Sequence, residues 1–313
     1  MNPSSVLSYK THIRSLIALG FPIIIGQIGT IVQGLADTIM TGQYSSQALA
    51  AAGFVNNVMT LVLIFAMGYS YGLTPVVGAY HARQEHHHIG QSLRCSLQTN
   101  GILAAVIVLL MGSLYFFLDR LGQPEELLPI IRPYYLVILV SLPFQILFNA
   151  YKQFFDGIGK TQIAMWIMIG ANVFNIIGNW FLIYGWGPFP ELGLLGAGIS
   201  TCLSRIGMLL CMTFIFYRSS SFRTYQEGFR LREGNRELRK KLNRLVLPIG
   251  LQMGMECASF ALCAVMQGWI GTSALAAHQI MTNVASVCYM IYYGIGASVA
   301  IRISHVSYTH LTL

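Results

Sequence analysis

Residues 22–51 read PIIIGQIGTIVQGLADTIMTGQYSSQALAA, and residues 248–277 read PIGLQMGMECASFALCAVMQGWIGTSALAA. The two stretches align without a gap, both opening on Pro-Ile and both closing on Ala-Leu-Ala-Ala. The same offset pairs Leu16 with Leu242, Met40 with Met266, Gly42 with Gly268, Asn57 with Asn283 and Gly68 with Gly294. Each copy is a long apolar run carrying one carboxylate, Asp37 in the first and Glu256 in the second. An internal repeat of this kind, with an acid buried in each copy, predicts two lobes built on one plan.

Outward from the repeat, the whole chain has the chemistry of a bilayer protein. Apolar residues make up 55% of the 313 and charged residues 10%, where a soluble domain carries about a quarter charged. Mean hydropathy is +0.59. Crossing a bilayer takes about 20 helical residues, and eight runs reach that scale, at 16–40, 49–79, 95–118, 133–151, 162–185, 193–217, 245–268 and 274–301. The fold class expected is an all-α polytopic membrane protein. The first run is too long for the core of a signal peptide and lacks a small-residue cleavage site, so it reads as a span. The six cysteines lie in or at the ends of apolar runs with no C-x-x-C pair. They read as small buried apolar residues rather than a disulfide frame or a zinc site.

The net charge of +8 follows membrane topology. Alternating the spans puts Lys10, Arg14, Arg83, Arg94, Lys152, Lys160, Arg302 and the nine basic residues of the 218–244 link on one side. Arg120 and Arg132 fall on the other side, and Arg205 inside a span. That bias is a positive-inside signature and predicts a cytoplasmic amino terminus. Nucleic-acid binding is not expected. Membrane lipid, including anionic head groups, is the partner that the basic residues suit.

Spans one and seven start on the same side, so the copies should be related by an axis along the membrane normal. The expected organisation is a first lobe at 1–217 with six spans, a basic cytoplasmic link at 218–243, and the start of a second lobe at 244–304 with two. Six spans per lobe would make twelve, and the chain has eight. Residues 305–313 match nothing in the first copy and read as a non-native tail on a truncated chain.

Nine of the eleven acidic residues sit in loops or at span ends, Asp156 among them; Asp37 and Glu256 lie within apolar runs. A charge at mid-bilayer costs about 2.5–3.5 kcal/mol on insertion scales, so such residues are functional candidates by default. Glu256 is expected near the midplane and Asp37 nearer the outer face. Desolvation lets a carboxylate exchange a proton near neutral pH; charged, it attracts an organic cation or Na⁺, and protonated it releases it. Pro22 and Pro248 take equivalent places early in their spans, and each removes a helix hydrogen bond and favours a bend. Glycines at 20, 26, 29 and 34, and at 250 and 254, would loosen the same helices. Asn175 and Asn179 are four apart and share a helix face, with Asn172 a turn before and Thr201 in the next span. Composition leaves open whether these amides line a cavity or hold helices together. Arg205 either pairs with an internal acid or snorkels to the surface. The Glu85-His86-His87-His88 run reads as a solvated turn rather than a metal tract.

Together these residues resemble the MATE (multidrug and toxic-compound extrusion) transporters. The resemblance rests on Pro22, Gln33, Asp37–Gly42 and Ala48–Ala51, on Gly254-Met255-Glu256, on Leu275–Ile280, and on Gly296–Arg302. Asn175–Trp180 with Tyr184-Gly185, and Gly193, Gly196–Gly198 and Thr201, fit as well. It covers nearly all of residues 12–304, and Asp37 and Glu256 beside Ala277-His278-Gln279 look most like the NorM branch. The resemblance implies a MATE-like two-lobed helical bundle, here a six-helix first lobe and two helices of the second. It further implies a bacterial inner-membrane antiporter that exports organic, often cationic compounds against Na⁺ or H⁺ by alternating access.

On the same ground Asp37, Asn175, Asn179 and Thr201 would form a first-lobe cation or proton site and Glu256 a second-lobe one. Gln33 and Gln279 would be polar cavity positions. The coupling ion, Na⁺ at Asp37 or Glu256 or else a proton, is the sole cofactor expected, and the protein is expected to be a monomer. Rival readings are a flippase for lipid-linked oligosaccharides and an inactive membrane fragment or scaffold. An enzyme is not expected, since no nucleophile–base set or metal-ligand cluster falls at a membrane site.

Overall fold

A computed structural model describes residues 9–121, 124–231, 235–270 and 272–310. Ten α-helices follow one another: α1 (Tyr9–Tyr44), α2 (Ser46–Tyr71), α3 (Leu73–Ala82), α4 (His86–Tyr115), α5 (Leu128–Gly157), α6 (Thr161–Tyr184), α7 (Leu194–Arg218), α8 (Arg223–Arg230), α9 (Asn235–Ile270) and α10 (Thr272–His310). No strand occurs among the described residues. The protein is an all-α, multi-pass membrane bundle.

Six segments of the described residues are long and apolar enough to cross a bilayer, and they coincide with the first six apolar runs. The shortest, Thr161–Tyr184, has 24 residues, about 36 Å at 1.5 Å per residue, enough for a hydrocarbon core of about 30 Å. Helices α9 and α10, of 36 and 39 residues, carry the last two runs. Large apolar side chains cover the outer faces, with Phe116, Leu109, Phe214 and Val140 all exposed. In water such a surface would aggregate; against lipid tails it is the expected exterior.

Local sequence sets the helix ends. Ser45 caps α2, its hydroxyl accepting from the Gln47 amide at 3.2 Å, a standard helix-start device. Helix α6 stops at Gly185, whose φ of +66° is a left-handed value that glycine adopts without strain. The second apolar run is not one helix, because the chain breaks at Gly72 between α2 and α3. Helix α5 is longer than its apolar run and continues through Lys152 and Asp156 to Gly157.

The repeat is visible in the packing. Helix α1 lies against α10, and α2 against α9, so each copy packs crosswise on the other. A methyl group added to Gly20 would meet Ser298 Oγ at 3.1 Å, and one on Gly72 would run into Val246. By the repeat offset, 20 is equivalent to 246 and 298 to 72. A methyl on Gly68 would lie 3.0 Å from Gly250 Cα, and one on Gly294 would strike Ile24; here 68 is equivalent to 294 and 250 to 24. The seam between copies is thus built twice from equivalent pairs, with a small residue on at least one side. Small residues are what allow apolar helices to approach closely without water to drive them together.

Two apolar clusters fill the bundle. One joins α2, α4, α5 and α7 through Val55, Ile107, Tyr135 and Ala197. The other, at the end carrying the link, is aromatic: Phe154 stacks edge-on to Phe155, Phe216 and Tyr225. Helix α8 is clasped onto α4 there. A methyl on Gly90 or on Gly228 would run into the opposing backbone, and Arg94 donates to the Phe229 and Arg230 carbonyls at 3.1 and 3.2 Å. A basic side chain at these terminal acceptors also complements the helix dipole.

Candidate functional site

Helix α1 brings Asp37 to the junction of α6 and α7. Gly29 lets α1 approach Asn172 on α6, and Gly178 lets Ser200 of α7 come up against α6. The Ser200 hydroxyl donates to the Asn175 carbonyl at 2.8 Å, and the Tyr184 hydroxyl to the Met40 carbonyl at 2.9 Å. These bonds fix α6 to both neighbours one turn either side of Asp37.

Asp37 is half-buried, while Asn175 and Asn179 are fully buried beside it. Asn179 Nδ2 donates to Asp37 Oδ1 at 2.5 Å. With the Asn175 amide turned about its axis, its nitrogen also donates to Asp37 Oδ1, at 2.9 Å, and its oxygen accepts from Thr201 Oγ1 at 3.2 Å. Amide orientation is an assignment from the bonding pattern, and this orientation satisfies both ends of the Asn175 amide. Asn179 Oδ1 is buried with no hydrogen-bond partner among the described residues. The cluster therefore offers a carboxylate, amide oxygens and a hydroxyl: a hard, oxygen-rich donor set suited to Na⁺ or a proton rather than to soft metals.

Four residues singled out from the sequence, Asp37, Asn175, Asn179 and Thr201, meet at one point. Gln33, one turn from Asp37, lines a cavity of about 210 Å³ next to the cluster. Pro22 is buried inside α1 and Pro248 is exposed inside α9. The Gln279 side chain lies outside the described residues.

Glu256 lies exposed on α9 among the described residues. Helix α9 packs on Phe65 of α2 through Gly250 and Gly254. At 100° per residue Glu256 points away from both, beside the exposed Met255. Among the described residues it makes no ion pair.

Two buried charges escaped the sequence reading. Lys152 and Asp156, counted there on the basic side of the membrane and among the acids of loops and span ends, form an internal ion pair within α5 at 2.9 Å, with 7% and 4% of their surfaces exposed. Four-residue spacing near a helix end was the available signal, but a solvated pair has the same spacing. Arg205 neither snorkels nor pairs with an acid among the described residues; it donates to Ser141 Oγ at 2.6 Å. The His86–His88 run opens α4, where His88 Nδ1 meets Gln91 Oε1 at 3.0 Å.

Comparison with known proteins shows the family and the fold. Residues 22–181 and 248–306 match the MatE family model. A probable multidrug resistance protein NorM of Photorhabdus laumondii is 30% identical over 296 residues, 93% of this chain and 64% of that protein. The multidrug resistance protein NorM of Vibrio cholerae is 28% identical over 299 residues, 95% of this chain and 65% of that protein. The crystal structure of the eukaryotic MATE transporter AtDTX14 superposes with a TM-score of 0.82 at 15% identity, over 94% of this chain and 65% of that one. An outward-facing multidrug resistance MATE transporter gives 0.78 at 20% identity, over 93% and 64%. These solved structures share the fold, and the chain spans about 64% of the length of the relatives it matches.

Proposed function

The chain belongs to the MatE family, and on that premise we propose that it acts within a multidrug efflux antiporter exporting organic, often cationic compounds against Na⁺ or H⁺. The observation that carries this reading is Asp37, a carboxylate inside an apolar bundle held by two buried asparagines. Ionised, Asp37 accepts from both amides and attracts a cation; the unpartnered Asn179 oxygen supplies a second ligand. Protonated, the carboxyl loses that attraction and releases the cation. Thr201 holds the Asn175 amide in the orientation that favours the charged form. Glu256 would serve a second cation site on the other copy, and Gln33 and Gln279 would line the substrate path.

The first lobe in this reading is residues 1–217, the link 218–243, and the second lobe begins at 244–304. Alternating access would work by rocking the copies along their duplicated seam, with Pro22 and Pro248 as bending points. Drug and ion shift the populations of the two states only as far as they bind them differently. One charge moving inward releases about 2.3 kcal/mol per 100 mV, a sufficient driving force for accumulation outside. The basic bias supports a bacterial inner-membrane location with a cytoplasmic amino terminus. A monomer in lipid needs no cofactor besides its coupling ion. Names of the relatives support a transporter and not an enzyme. Dye efflux from cells expressing the protein tests the reading: Asp37→Asn and Glu256→Gln should each slow it, and undiminished efflux in both would sink it.

A further inference from the structure

On the flank of the bundle a groove of about 680 Å³ runs between α4, α5 and α7 and ends against α8. It has no lining residue in common with the cavity beside Asp37, and among the described residues α9 and α10 take no part in it. Its deeper walls are apolar, with Leu97 and Gly101 on α4, Leu147 on α5 and Leu209 on α7. Toward the link the lining turns polar on all three helices, through Arg94, Tyr151, Thr213 and Tyr217. From Leu209 to Tyr217 this change spans about 12 Å at 1.5 Å per residue.

A second groove, of about 390 Å³, shares Tyr217 and Arg230 with the first and is lined also by Arg218, Arg223 and Glu227. The two form one trough, apolar at one end and basic at the other. Three arginines face one carboxylate in the basic end. Arg218 and Arg230 make no ion pair among the described residues. Glu227 lies 3.9 Å from Arg223 with both side chains largely exposed, a pairing that contributes little. Arg94 holds the end of α8, and Gln226 donates to the Phe216 carbonyl at 2.7 Å. The trough is therefore fixed by bonds at both ends of α8.

Its place in the fold selects the occupant. Ile102, Leu210 and Phe214, next in sequence to its wall residues, are exposed on the apolar outer surface. A bilayer lipid thus lies against the apolar end. Basic pockets between spanning helices suit anionic head groups, and the planar arginine fork matches a phosphate. The volume of the apolar groove falls in the range of about 300–1,000 Å³ usual for small-molecule sites.

We propose that this trough holds one anionic phospholipid, its phosphate on Arg218, Arg223 and Arg230 and an acyl chain along Leu97, Leu147 and Leu209. Such a lipid ties α8, and the link with it, to the membrane surface. Binding here does not depend on transport, so it stands or falls separately from the efflux reading.

The test is thermal unfolding of the purified chain in detergent micelles containing phosphatidylglycerol or phosphatidylcholine with the same acyl chains, at constant ionic strength. A rise in melting temperature that saturates with phosphatidylglycerol is expected, with a much smaller one for phosphatidylcholine and none for inorganic phosphate. Arg218→Gln combined with Arg230→Gln should weaken the lipid's apparent affinity about fivefold per arginine. Arg239→Gln with Lys240→Gln removes the same charge from exposed positions of α9 outside the trough and should change it little. Gly101→Leu should weaken the response too: a methyl there meets nothing within 4 Å, so a longer side chain enters the groove. If that variant does not fold, Leu209→Trp fills the groove from α7 instead. No rise, an equal rise with both lipids, or an equal rise with inorganic phosphate overturns the proposal. So does a response undiminished in either the arginine pair or the groove-filling variant, or diminished as much by the α9 pair.

Discussion

Helices α1 and α9 come from equivalent stretches and pack through equivalent pairs, yet their carboxylates have different surroundings. Asp37 is bonded to buried amides of α6. Glu256 stands exposed on the face of α9 that points away from the seam. The offset explains this: Asp37 aligns with Cys263 and Glu256 with Thr30. Duplication therefore preserved the small-residue seam, where any change alters how closely two helices approach, and left each copy's polar positions free to diverge. Among the described residues Asp37 is tied into the bundle by hydrogen bonds and Glu256 makes no ion pair.

The comparison breaks most readily at Lys152. Replacing it with Met leaves Asp156 buried without its partner, which should destabilise the protein by about 3–5 kcal/mol in equilibrium unfolding from detergent. Removing both charges, Lys152→Met with Asp156→Leu, should recover most of the loss; an equal loss in the double variant would mean that the pair is not the cause. The seam should respond symmetrically. Gly68→Ala and Gly294→Ala occupy equivalent places, and each should cost about 1–3 kcal/mol through overpacking. Unequal losses, beyond about 1 kcal/mol apart, would show that the seam is not built twice on one plan. The smallest effect belongs to Glu256→Gln, which should stay within about 0.5 kcal/mol, as exposed substitutions do.

Much of this architecture was legible in the sequence. The apolar runs gave the first six spans, because bilayer thickness sets their length, and the repeat gave the two-copy plan. The i, i+4 spacing of Asn175 and Asn179 put both on one face. That this face turns to Asp37 depends on how α1 crosses α6, where Gly29 allows the close approach to Asn172, and this has no local signature. Burial of Lys152 and Asp156 was not legible for a related reason. Charges at the end of an apolar run resemble a solvated helix end, and only the extra turn of α5 beneath the aromatic cluster takes them inside. For Glu256 the repeat located the helix but not its face: among the described residues the seam uses the opposite face of α9.

The account rests on Asp37 as the assembled ion site of this chain. Binding of ²²Na⁺ and proton uptake, both measured on the purified protein, test it directly. Asp37→Asn should remove most of whichever of the two wild-type protein performs, and Asn179→Leu should weaken it. Unchanged ion binding and proton uptake in Asp37→Asn would contradict the account.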